Sequence, residues 1–356
     1  MRSRSSLCWV TLIGATALFI WHPTPARGST QSDPAQGAGP CSPVGIPTDA
    51  RPNPNGPPTE VTVAVFMVDL TKVDDPSQSL TGDFLVFQSW TDPRLAELAG
   101  CRLPLTTVWH PRLDFLNSGA MQPRRATLAD QVEIGPGGLV QHQQRYFGSL
   151  STYHSLREFP LDRQAFLISL VSPDYAQDEV SLVVDERQTG RRSVLNISDW
   201  IVDSVYASLG TYSPETAVGR TLATYEFRIV AGRQVGFYVW KVILPLALIV
   251  AMSWAVFWIS PIQFGPQIGL SATAMLTLIA FQFALVSVLP KLAYFTVLDE
   301  FIAGSTILVF LALVEAVLAV SLVAADKKAM ALRMDAICRW AFPLTYGFLI
   351  LAVFLI

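Results

Sequence analysis

The sequence predicts an exported all-β sandwich followed by an all-α bundle of four transmembrane helices, and three observations carry that reading. Of 356 residues, 51% are hydrophobic and only 15% charged, a balance that suits neither a soluble enzyme nor a disordered chain. The apolar residues are concentrated: no Asp, Glu, Lys or Arg stands between Lys241 and Lys291, Glu315 is the only charge from Phe301 to Ala325, and Trp340 to Ile356 has none. Before that region, short runs of β-branched and aromatic residues are separated by clusters of turn residues.

At the start, Arg2 and Arg4 precede an apolar run from Leu7 to Trp21, and Thr24-Pro25-Ala26 supplies small residues. Residues 1–26 therefore read as a signal peptide, with an uncleaved anchor as the alternative; either one exports the segment after it. Cleavage near Ala26 would take the formal charge from −3 to about −5, because two arginines and no acids leave. Residues 27–59 read as a flexible Pro-rich segment, since ten prolines fall between positions 23 and 58. Residues 60–234 carry the strand pattern, in Thr62–Leu70, Asp83–Trp90, Val180–Val184 and Tyr225–Val230, with turns such as Gly135-Pro136-Gly137-Gly138. That length and pattern suit a sandwich.

A helix needs about 20 mostly apolar residues to cross a bilayer. Residues 235–356 accommodate four, at about 237–258, 267–289, 301–323 and 340–356, with Ser260 to Pro266 as the first turn. With the sandwich outside, four crossings return the C-terminus to the same side of a plasma (inner) membrane. The third connection, Asp326 to Arg339, is then cytoplasmic. It holds Lys327, Lys328, Arg333 and Arg339 against Asp326 and Asp335, as the positive-inside rule requires.

Other classes lack their parts. A net charge of −3 gives no basic footprint for nucleic acid. The chain has no Gly-rich phosphate loop, no metal-spaced His/Cys cluster and no nucleophile motif, and His22, His110, His142 and His154 are scattered, so neither an enzyme nor a cofactor is expected. Four cysteines exclude a disulfide-rich scaffold; Cys41 and Cys101 either pair in an oxidising compartment or stay free.

Several motifs converge. Phe159-Pro160-Leu161-Asp162-Arg163-Gln164 resembles the Phe-Pro-x-Asp-x-Gln signature of the pentameric ligand-gated ion channels, the Cys-loop receptor superfamily. Trp90-Thr91-Asp92-Pro93-Arg94-Leu95 resembles that family's Trp-x-Asp-x-Arg-Leu strand end, and Val108-Trp109-His110-Pro111 its Leu-Trp-x-Pro. Leu244-Pro245 and Leu289-Pro290-Lys291 match the proline of its first membrane helix and the end of its second. The resemblance runs in order over residues 60–356. Thr152 and Phe166 stand where the family's loop cysteines would be, which resembles the bacterial branch.

The resemblance implies a homopentamer that opens to small inorganic ions when a small-molecule agonist, an amine or protons, binds between adjacent sandwiches. A non-conducting receptor or sensor of the same architecture is the alternative, and a transporter lacks internal repeats and broken helices. Gly269, Thr273, Leu276, Ala280, Phe283 and Ser287 recur at steps of four and three and form one helix stripe. Five copies would line a pore with an apolar constriction at Leu276 and Phe283; otherwise the stripe is ordinary packing.

Carried over by position, the agonist site would draw on Asp114, Phe115, Leu116, Pro173, Asp174 and Tyr212, with Leu85 and Phe87 from the facing subunit. These residues are a poor match to an aromatic cage. Asp114 and Asp174 would pair with an amine or remain solvated. Coupling to the pore would use Asp162, Arg233 and Asp74 or Asp75, above Pro290, Lys291 and Tyr294. Glu315, alone in its span, is either a gating or proton-sensing group or a carboxyl bonded between helices. No carboxylate lies between Ser260 and Pro290, which leans the ion preference weakly towards anions.

Overall fold

Alternation with period two builds the exported half. In β1 (Thr59–Asp74), Val61, Val63, Val65 and Met67 turn to one face and are fully buried, as are Phe84, Val86 and Trp90 of β2 (Ser79–Thr91). The computed structural model describes residues 41–43, 45–47, 49–124, 130–215, 219–286 and 292–355. The expected signal peptide, most of the Pro-rich segment before Cys41, and Ser287, Pro290 and Lys291 lie outside the described residues.

The remaining strands are β3 (Arg102–Pro104), β4 (Asp114–Phe115), β5 (Gln122–Arg124), β6 (Gln131–Ile134), β7 (Leu139–Ser151), β8 (Arg163–Val171), β9 (Val180–Val184), β10 (Gly190–Arg191), β11 (Trp200–Tyr212) and β12 (Leu222–Arg233). One sheet runs β10-β1-β2-β7-β6-β3, with β5 on β7 and β9 on β1; the other runs β11-β12-β8-β4. Their inner faces meet in a core where Phe166, Ile168 and Leu170 of β8 and Tyr225, Phe227 and Ile229 of β12 oppose the apolar side chains of β1 and β2.

The motifs hold this sandwich together. Asp92 is fully buried, and its carboxylate receives Nε and Nη2 of Arg94 at 2.8 Å each, while Arg94 also donates to Ala50 O at 3.1 Å. Trp109 Nε1 donates to Tyr175 Oη at 2.8 Å, and Trp90 and Trp109 pack edge to face. Gly138 has φ +81°, and a Cβ there would meet Asp92 O at 2.1 Å, so only glycine fits that turn.

The end of the Pro-rich segment is not free. Cys41 and Cys101 form a disulfide with Cα atoms 5.5 Å apart. The buried Arg51 guanidinium donates to the carbonyls of Pro54, Gly56 and Pro57, supplying donors to backbone acceptors in a stretch whose prolines contribute no N–H. Ala50, through its carbonyl, and the buried Arg51 and Pro52 therefore anchor this stretch to the sandwich as a cap, while Asn53, Pro54, Asn55, Pro57 and Pro58 stay exposed, so it is tied down where a free segment was expected.

Among the described residues four helices are long and apolar enough to cross a membrane: Gly236–Trp258, Phe264–Leu285, Val297–Ala324 and Lys328–Phe354. The first contains a π-helical turn at Val239–Ile243, two residues before Pro245. Proline lacks the N–H its helix would use, and a widened turn is one way to absorb the loss. The second begins at Phe264 and not at Gln267, so Pro266 sits in its first turn, where the missing N–H costs nothing. The third begins earlier than expected because Thr296 and Asp299 form a capping box.

The largest correction is the fourth helix. It begins at Lys328 instead of about residue 340, so Arg333, Asp335 and Arg339 are helical and only a short turn joins it to the third helix. A hydropathy reading stops at charges. The Ala, Met, Leu and Arg of this stretch are strong helix formers and carry the helix through them.

Candidate functional site

The sandwich ends where β12 delivers Arg233, three residues before the first membrane helix. Its side chain is almost wholly buried. Nε and Nη2 reach Asp162 at 2.7 and 3.2 Å, and Nη1 and Nη2 reach Asp75 at 2.8 and 3.0 Å. Two carboxylates thus fill one guanidinium fork. The guanidinium carbon lies 4.2 Å from the Trp200 ring centroid and 4.8 Å from that of Phe159, so aromatic faces cover the rest of the charge. Each carboxylate has a further donor: His154 Nε2 to Asp75 at 3.1 Å, and Gln164 Nε2 to Asp162 at 2.7 Å. Of the two acids expected from the first strand connection, Asp75 joins this cluster, whereas Asp74 is a half-buried partner of the exposed Lys72.

Burial alone would raise the Asp75 carboxyl, but hydrogen bonds from His154 and Arg233 outweigh it and hold the group below its ordinary 3.8. A depressed folded value contributes stability above the unfolded range, and that contribution is lost as pH falls through the folded value. The difference in melting temperature between wild type and Asp75→Asn should therefore hold from about pH 7 to about pH 5 and close only below about pH 4. A gap that closes by about pH 6 would show that Asp75 is not held as described.

The Phe-Pro-x-Asp-x-Gln loop reaches the membrane helices directly. Leu156 and Phe159 are buried among apolar residues of the first and third helices, and Phe159 packs edge to face on Tyr238 at 4.8 Å. Leu156 N donates to Tyr294 Oη at 3.0 Å. The N–H groups of Val297 and Leu298, orphans of the third helix's first turn, donate to Arg157 O and Phe159 O at 3.0 and 3.1 Å. One loop therefore touches Arg233 through Asp162 and caps a membrane helix through its backbone. Asp162 and Arg233 are in direct contact, and Tyr294 meets the same loop further along, at Leu156. His154 and Trp200 join them without any signal in the sequence, since a lone histidine and a strand tryptophan carry no motif.

The agonist candidates form two groups. Asp114 and Phe115 lie on β4 beside Val171 and Leu170, next to the loop holding Pro173 and Asp174. Arg112, not anticipated from the sequence, bridges the two acids, with Nε 3.2 Å from Asp114 and Nη2 3.7 Å from Asp174. Phe115 packs on Tyr146 at 5.0 Å; Leu116 and Tyr212 are exposed. Phe87, two residues after Leu85 on β2, opens onto a separate cavity of about 290 Å³ lined by Arg102, Gln131, Glu133, Gln141 and Gln143 among others.

On the second membrane helix, Gly269, Thr273, Leu276, Ala280 and Phe283 are all exposed, whereas Gln267, Ser271, Ala274, Leu278 and Leu285 are buried. Glu315 is buried in the third helix, facing Asp335 of the fourth.

The model of the neurotransmitter-gated ion-channel ligand binding domain matches residues 47–229, and that of the neurotransmitter-gated ion-channel transmembrane region matches residues 242–327. A proton-gated ion channel from Gloeobacter violaceus is 24% identical over 346 residues, covering 93% of this chain and 92% of that protein. The two domain models match in succession over the sandwich and the membrane helices, and the chain belongs to the pentameric ligand-gated ion-channel family, a multi-pass membrane protein with an extracellular ligand-binding domain and not an enzyme.

Proposed function

We propose that five copies of the chain assemble around an axis lined by their second membrane helices, and that a small agonist acting on the sandwich opens this pore to inorganic ions. The observation that carries the pore is the division of the second helix. Leu276 and Phe283 are 69% and 75% exposed in one subunit, while the opposite stripe is buried against the same subunit's other helices. An apolar stripe left uncovered by its own subunit suits an axis shared with neighbours, where rings of Leu276 and Phe283 close by dewetting.

Protons are favoured as the agonist by the likeness to a channel named for proton gating and by the poor aromatic lining around Asp114 and Asp174. An amine would have to displace Arg112 from both acids. Asp162, Arg233 and Tyr294 would transmit the response, as part of a two-state interface between sandwich and helices.

Ion preference depends on fixed charge near the narrow part. Among the described residues between Ser260 and Val286 there is no carboxylate and no basic side chain, so selectivity is weak; the lean towards anions comes from Lys291 just after that stretch and the basic residues Lys327, Lys328, Arg333 and Arg339. Reconstitution in lipid tests the whole reading. Acidification of the outer face should evoke currents from particles of pentameric mass, with a reversal potential under a KCl gradient nearer to the chloride than to the potassium equilibrium. Monomeric or dimeric mass with no current would defeat the pore, and a potassium-like reversal would defeat the anion lean alone.

A further inference from the structure

We infer that Glu315 and Asp335 share one proton in a buried site between the second, third and fourth membrane helices, and that cytoplasmic protons act on the pore helix through it. The effect on the pore rests on the channel reading above; the shared proton does not.

Three polar side chains from three helices meet there. Gln267, at the start of the second helix, is 0% exposed, Asp335 of the fourth is 2% and Glu315 of the third is 8%. The two carboxyl groups face each other, and the Gln267 amide lies beside Asp335. Neither oxygen of Glu315, nor Asp335 Oδ1, nor either amide atom of Gln267 makes a well-aligned hydrogen bond, although the three groups lie within reach of one another. Ionised carboxylates only accept hydrogen bonds, so two that face each other present acceptor to acceptor. Burial disfavours each charge and the pair repel.

The surroundings do not neutralise them. Arg339, one turn along the fourth helix, is the nearest cation acting on Asp335. Its Nε donates to Phe257 O at 3.0 Å and its guanidinium lies over the Trp258 ring at 5.5 Å, so it is held towards the first helix. Trp254 Nε1 fixes the Arg339 carbonyl from the same side at 2.9 Å. The Cys338 thiol is the remaining titratable neighbour of both acids and brings no positive charge. Among the described residues no ion pair reaches Glu315 or Asp335.

A single proton supplies the missing donor. It converts the facing oxygens into one charge-assisted hydrogen bond and leaves one negative charge for Arg339 to offset at a distance. The Gln267 N–H₂ can then complete the remaining acceptor. The proton comes from the cytoplasmic side. Glu315 is about 14 Å along the helix from its cytoplasmic end at Ala324, and Asp335 lies within two turns of Lys328. Gln267 stands two residues before Gly269, so the charge of the pair is felt at the base of the proposed pore stripe.

Infrared difference spectroscopy on the full chain in lipid tests the proton directly. Wild type near neutral pH should show the carbonyl stretch of a buried protonated carboxylic acid, and Glu315→Gln and Asp335→Asn should each abolish it. No such band in wild type, or a band surviving in either variant, overturns the shared proton. Inside-out patches test the consequence. At fixed outer pH, a change in cytoplasmic pH should shift wild-type open probability, and Glu315→Gln should lose that shift while still responding to the outer agonist. A wild type indifferent to cytoplasmic pH, or a variant still as sensitive, overturns the regulation. A wild type silent under every condition would defeat the channel reading, with the infrared band still deciding the proton.

Discussion

Arg233→Ala is expected to suppress agonist-evoked opening by about 10²- to 10⁴-fold, the size of effect produced by orphaning buried charges at about 3–5 kcal/mol. The guanidinium is the only cation bonded to Asp162 among the described residues, and it shares Asp75 with His154. Removing it leaves two carboxylates facing each other under Trp200 and Phe159. Because Asp162 belongs to the loop whose carbonyls cap the third membrane helix, the repulsion acts where sandwich and membrane domain meet. Arg233→Lys keeps the charge but cannot fork to two carboxylates, so it should fall between wild type and alanine. Currents normalised to surface protein, alongside agonist binding, measure this. Combining Arg233→Ala with Asp75→Asn and Asp162→Asn should restore surface expression without restoring gating, because it removes the stranded charges but not the link. Wild-type currents from Arg233→Ala would remove the cluster from the mechanism.

Periodicity and charge placement make the architecture legible from the chain itself. Val61, Val63, Val65 and Met67 recur at every second position because one face of β1 is core, and the spans stand out as long apolar stretches in which charges are sparse. Features set by tertiary contact escape such a reading. The sequence offers Asp74 and Asp75 as equals; only the turn after β1 aims one inward to Arg233 and leaves the other beside Lys72. Arg112 gives no local signal, since its role is to join two acids 60 residues apart in sequence. Glu315 is visible as a lone charge in a span. Its partner is not, because Asp335 reads as part of a cytoplasmic connection that proves to be helical.

The Pro-rich cap is hidden for the same physical reason. Prolines remove ladder donors, which reads as disorder until a buried arginine and a distant cysteine are found to hold them. In each case the missing information is a side chain from elsewhere in the chain that satisfies a local deficit.

Leu276→Ser should produce channels that leak without agonist. The side chain is 69% exposed in the isolated subunit, so in the proposed pentamer it meets its symmetry mates and the pore water, not its own helical neighbours. A ring of five leucines resists wetting, and a hydroxyl at that position removes most of the resistance. If each substitution favours the wet state by only about 1 kcal/mol, five copies sum to about 5 kcal/mol, roughly three to four orders of magnitude in the closed-to-open ratio. Thr273 shows the helix tolerates hydroxyls on this stripe, since its Oγ1 donates to Gly269 O at 2.7 Å, so serine should not disturb the backbone. Leu278 supplies the control: it is fully buried on the opposite face, and Leu278→Ser should lower surface expression and thermal stability without creating a leak. Holding current in bilayers, with surface density matched, separates the two. A leak from Leu278→Ser and none from Leu276→Ser would mean that the exposed stripe does not face the pore.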